Sequence, residues 1–105
     1  MKFLNNNLNN NVIVTAPNIT ESCSTKFTSN TRLTVSWSET RGATQFDVQV
    51  YDIVTNERVY NNTVSVTAVL LSKVERDRQY VIYITGLGDE NQRGNTVSCT
   101  GSTGM

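Results

Sequence analysis

The feature that most constrains this chain is its every-other-residue apolar patterning. Leu33, Val35 and Trp37 alternate with Thr34, Ser36 and Ser38. Phe46, Val48 and Val50 alternate with Asp47, Gln49 and Tyr51. Tyr80, Ile82 and Ile84 alternate with Val81, Tyr83 and Thr85. A period of two sends one set of side chains to one face of a sheet. Helical spacing would throw Phe46 and Val48 to nearly opposite sides, so these runs read as strands with one buried face. Composition agrees: β-branched Val and Thr, which suit pleated surfaces, are abundant. The strong helix former Ala occurs only at positions 16, 43 and 68.

Turn residues separate the runs at 39–42, 55–56 and 86–94. Weaker strands are expected at 19–22, 58–61, 65–71 and 96–99. About seven short strands at roughly ten-residue spacing are the mark of an all-β, two-sheet sandwich. A chain of 105 residues suits one domain and is too short for two. Six Asn crowd positions 2–11, a hydrated composition that builds no core. Residues 1–16 are therefore expected to be a linker or tail, 17–100 the domain and 101–105 a C-terminal tail. The opening Met1-Lys2-Phe3-Leu4 meets Asn5 long before the about 7–15 apolar residues of a secretory leader are complete. Met1 is accordingly expected to be an artificial start or the start of an excised fragment, and the missing leader says nothing of the parent protein.

Several function classes fall away on composition. Nine basic residues balance nine acidic ones, so the cationic surplus expected of a nucleic-acid binder is missing. His is absent, and with it the commonest general base and metal ligand. Two Cys cannot form a four-Cys zinc site. No apolar run approaches the about 20 residues of a membrane-spanning helix. No nucleophile has a base beside it, and no Gly-rich phosphate loop occurs. The chain is expected to be no enzyme, with no catalytic residues, cofactor or metal.

Ordered motifs then point to a family. Pro17 stands just before the first expected strand. Trp37 ends the run Leu33-Thr-Val-Ser-Trp37, and Phe46-Asp-Val48-Gln-Val50 follows. Val74 precedes Tyr80 by six residues, Tyr80-Val-Ile82-Tyr-Ile84 comes next, and Gly94 opens the last strand. In order and spacing, 17–99 resembles a fibronectin type III domain. Val stands where the family favours Leu at position 74, Phe46 where Tyr is commoner, and the loop before Gly94 is long. The resemblance implies a seven-stranded antiparallel β-sandwich, with Trp37, Phe46, Val74 and Tyr80 as its structural core. It also implies a tyrosine corner, in which the Tyr80 hydroxyl bonds backbone a few residues upstream, near Val74.

That topology gives candidate sites. Strands that alternate in direction bring the ends of the first and seventh to one pole, so Cys23 and Cys99 are expected to form a disulfide. It would close a loop worth about 4.5 kcal/mol by chain entropy. Two free thiols, or bonds to neighbouring domains, are the alternatives. Asn18-Ile-Thr20 and Asn61-Asn-Thr63 are glycosylation sequons at strand edges or turns. Chance is the alternative in a chain so rich in Asn and Thr. Tyr51 and Tyr83 take outward positions on the third and sixth strands. With Asp47, Gln49 and Val81 they would form an aromatic-polar binding face. Plain cross-strand stabilisation is the competing account. Ala68 and Leu70 are expected to face outward on the other sheet, and 73–78 to form a solvated turn.

A disulfide and sequons favour an extracellular or cell-surface setting. The expected function is a non-catalytic module of a larger protein that mediates adhesion or protein recognition. A passive spacer, or an accessory module of a secreted enzyme, is the alternative. Partners would be another protein or neighbouring domains of the same chain, with no nucleic acid and no membrane insertion. A monomer is expected in isolation.

Overall fold

A computed structural model describes residues 16–29, 32–72, 74–75, 77–89 and 92–103. The Asn-rich stretch 2–11 lies outside them. Among the described residues seven antiparallel strands form two sheets: β1 (Ser24–Ser29), β2 (Arg32–Ser36), β3 (Gln45–Asp52), β4 (Arg58–Val64), β5 (Ala68–Leu71), β6 (Gln79–Leu87) and β7 (Arg93–Ser102). One sheet runs β1-β2-β5, the other β4-β3-β6-β7. The alternation does what period two requires. Leu33, Val35, Val48, Val50, Tyr80, Ile82 and Ile84 are essentially sealed between the sheets.

Trp37 and Phe46 meet edge to face inside, their ring centroids 5.5 Å apart. Such aromatic pairs add about 0.5–1.5 kcal/mol beyond burial. The indole Nε1 is buried without a hydrogen-bond partner among the described residues, so Trp37 contributes by area and shape. Val74 is buried as well, and Glu75 N donates to the Tyr80 hydroxyl at 2.8 Å. The corner therefore fastens the β5–β6 connection to the core. Ala68 and Leu70 face outward on β5, while Leu71 is buried.

Several boundaries differ from expectation. The first strand is Ser24–Ser29, not 19–22. Ile19 is nonetheless buried, and the Asn95 side chain replaces a strand partner for it. Asn95 Oδ1 accepts from Ile19 N at 2.7 Å, and Nδ2 donates to Ile19 O at 2.9 Å. The fifth strand begins at Ala68, after a bend over 65–67. Gly86 and Leu87 extend β6, which shortens the loop expected over 86–94. The last strand, β7, runs through Ser102 rather than ending at 99, and Thr103 is buried. Gly94 has a packing reason, since a Cβ there would overlap the Pro17 carbonyl oxygen.

Candidate functional site

Period two on β3 aims Asp47, Gln49 and Tyr51 away from the core, and these side chains bond one another in series. The Tyr51 hydroxyl donates to Gln49 Oε1 at 3.2 Å, and Gln49 Nε2 donates to Asp47 Oδ2 at 3.2 Å. Arg93, at the start of β7, reaches the same carboxylate oxygen at 2.7 Å. On β6, Tyr83 lies opposite Gln49 and Val81 opposite Tyr51. Tyr51 and Tyr83 are thus diagonal neighbours, within reach for aromatic rings. Their centroids are 5.9 Å apart at 79°, an edge-to-face pair.

The five residues Asp47, Gln49, Tyr51, Val81 and Tyr83 therefore share one outward face. Four of them are partly buried by one another, and Tyr83 is 40 % exposed. An open depression of about 410 Å³ lies over it, lined by Gln49, Tyr51, Asn56, Val81, Tyr83 and Arg93 among others. Asp47 and Arg93 cancel in charge. The face thus offers rings and neutral hydrogen-bonding groups rather than a field of one sign.

Cys23, just before β1, is bonded to Cys99 within β7, with Cα atoms 5.5 Å apart. Since the two strands belong to different sheets, the bond crosslinks the layers. It joins the start of β1 rather than its end, as the later position of that strand requires. Asn18 and Asn61 are both exposed. Among the described residues no group of three or more His, Cys, Asp or Glu side chains could hold a metal.

The expected solvated turn at 73–78 contains instead an ion pair that sequence reasoning missed; Lys73 and Arg76 lie outside the described residues. Arg78 Nη1 sits 2.6 Å from Asp52 Oδ2, and the Asp52 side chain is only 4 % exposed. Asp52 also accepts from Val54 N and Thr55 N, forming the turn after β3. Burial pushes the Asp52 carboxyl pKa up, but the bonds from Thr55, Arg78 and Val54 together hold it below its ordinary value. The bond to Asp52, aided by Glu75, raises Arg78 further above its usual range. Thr103 clasps the same connection: its hydroxyl accepts from Arg78 N and donates to Glu75 O, and its N–H donates to Arg78 O.

With seven strands ordered 1-2-5 and 4-3-6-7, the comparison with solved structures is decisive for architecture. The fold is that of a fibronectin type III domain. FN3tt is 17 % identical with a TM-score of 0.68, over 86 % of this chain and 96 % of that one. The fn3 domain of human collagen alpha-1(XX) chain is 18 % identical with a TM-score of 0.70, over 90 % and 88 %. Domains d3-d4 of the rat CD45 extracellular region reach a TM-score of 0.73 at 13 % identity. That match spans 86 % of this chain and 51 % of the CD45 chain. No protein-family model and no curated protein matches the sequence. Identities this low carry the fibronectin type III architecture and nothing finer.

Proposed function

We propose that this fibronectin type III fold serves as a non-catalytic extracellular module that recognises a protein partner through the β3–β6 face. The observation that carries the reading is the Tyr51–Tyr83 pair, set over an open, charge-balanced depression. Tyr suits such a role because a rigid ring contributes contact area at low entropic cost. The disulfide supports an oxidising setting. The CD45 domains that the chain resembles come from an extracellular region.

The test is binding of the whole chain to a panel of purified secreted and cell-surface ectodomains, with Tyr83→Ala alongside. A central aromatic anchor is worth about 2 kcal/mol or more, roughly a 30-fold loss of affinity on truncation. An unchanged melting midpoint would assign that loss to contact rather than unfolding.

The second reading is a passive spacer. The observation favouring it is that Tyr51, Gln49, Asp47 and Arg93 already bond one another, as cross-strand stabilisation requires. Partner affinity indifferent to Tyr83→Ala would favour the spacer.

A further inference from the structure

The strand register brings a modification motif onto the same face. Asn61 on β4 pairs with Gln49 on β3, and Gln49 pairs with Tyr83 on β6. Directly paired residues project to one side of a sheet, with Cβ atoms about 5 Å apart. Asn61, Gln49 and Tyr83 therefore form one rung, and Asn61 stands about 10 Å from Tyr83 across two strand spacings. Thr63, the third residue of the sequon, pairs with Asp47 and joins the same side. Both Asn61 and Thr63 are exposed, and β4 is the edge strand of its sheet.

The other sequon is placed differently. Asn18 lies between buried Pro17 and buried Ile19. Asn95 holds this segment against β7, at the opposite edge of the sheet from β4.

We infer that Asn61 carries an N-linked oligosaccharide that lies over the Tyr51–Tyr83 face and restricts access to it. The inference rests on the extracellular setting and binding face proposed above. The donor is an oligosaccharide on a polyisoprenyl diphosphate. Asn61 Nδ2 forms a bond to C1 of the first sugar and gives up one proton to a base of the transferase. The bond from C1 to the diphosphate oxygen breaks, and the diphosphate leaves with the electron pair. No oxidant or reductant is needed. The product keeps a polar, hydrated group at the β4 edge, one rung position from Gln49 and two from Tyr83.

The experiment uses the whole chain secreted from eukaryotic cells behind a cleavable leader, as wild type, Asn61→Gln, Thr63→Ala and Asn18→Gln. Intact mass should show a glycan increment in wild type that both Asn61→Gln and Thr63→Ala reduce. Thr63→Ala leaves Asn61 itself in place and so separates loss of the sequon from loss of the side chain. Hydroxyl-radical labelling of Tyr83 should be several-fold lower in the glycosylated chain than after enzymatic deglycosylation, with Tyr60 unchanged as the control. An increment removed by Asn18→Gln alone, or none at all, overturns the assignment of Asn61. A glycan at Asn61 with equal Tyr83 labelling overturns the covering role. Neither readout uses a partner protein. Failure of Tyr83→Ala to weaken binding would remove the recognition reading and leave the Asn61 result standing.

Discussion

The two sides of the sandwich are built on opposite plans. Where β1 meets β7, the layers are fastened: Cys23 bonds Cys99, and Thr25 Oγ1 donates to Thr100 O at 3.1 Å. Gly101 lets the β7 backbone lie against Thr25 and Leu33, and Thr103 ties the strand's far end to the β5–β6 connection. Among the described residues neither side has a strand pairing across the layers, and where β4 faces β5 no disulfide joins them either. A groove of about 200 Å³ opens there between Val59, Tyr60, Leu70, Leu71, Ser72 and Val74. Val59 is 45 % and Leu70 53 % exposed. In this sandwich one side is crosslinked and the other leaves a groove. Arg58, Asn61 and Asn62 also keep the free β4 edge polar, a recognised guard against edge-to-edge pairing.

The largest effect should come from cutting the closed side. The Cys23→Ser/Cys99→Ser double variant removes a crosslink spanning 76 residues. Losing a native disulfide from a small domain costs about 2–5 kcal/mol. Urea denaturation should show a lower midpoint and a steeper dependence, because the freed unfolded chain exposes more surface. A midpoint that hardly moves would mean that packing alone closes this side, and the contrast with β4/β5 would collapse.

A smaller loss is expected at the boundary between the two sides. Tyr80→Phe keeps the ring in the core and removes the acceptor of Glu75 N. One such bond is worth roughly 0.5–1.5 kcal/mol. Amide exchange should accelerate at Glu75 before the strands respond. An unchanged midpoint and unchanged exchange would show that the corner is held by Val74 packing alone.

The Asp52–Arg78 pair should show itself in acid. The folded-state pKa of Asp52 is lowered, so its contribution to stability is complete above its unfolded value of about 4. The contribution is lost as pH falls through the folded value, where the unfolded state binds the proton first. Wild type should therefore lose stability more steeply below about pH 4 than Asp52→Asn, which cannot take up that proton. Parallel pH profiles would remove Asp52 from the account of how the β3–β4 turn and the chain's end are joined.

Much of the closed core was legible because burial in a sandwich leaves a period-two trace. Leu33, Val35 and Trp37, and then Phe46, Val48 and Val50, lie where that trace puts them. The outward set 47, 49, 51, 81 and 83 follows from the same arithmetic. β1 leaves little trace because Ser24-Thr-Lys-Phe-Thr-Ser29 is mostly polar, whereas Ile19 has the look of a strand residue but packs in the core while an Asn side chain 76 positions away bonds its backbone. The Asp52–Arg78–Thr103 clasp left no trace at all. Its members are polar residues 25 or 26 positions apart, with Asp52 and Thr103 buried and Arg78 half-buried between them, and no periodicity records mutual satisfaction.

The smallest effect should lie on the open side. Val59 occupies the irregularity in the β3–β4 register, where Val50 pairs with Tyr60 and Tyr51 already with Arg58. Val59→Thr keeps the β-branched shape and adds a hydroxyl to a side chain that already meets solvent. Exposed substitutions of this kind stay within about 0.5 kcal/mol. Melting and sedimentation together make this a sharp test of openness. A loss comparable to that of the disulfide variant, or a wild-type dimer that dissociates on Val59→Thr, would mean that the groove beside β4 is covered in solution. The two sides would then differ in what closes them, a covalent bond on one and a second surface on the other, rather than in whether they are closed.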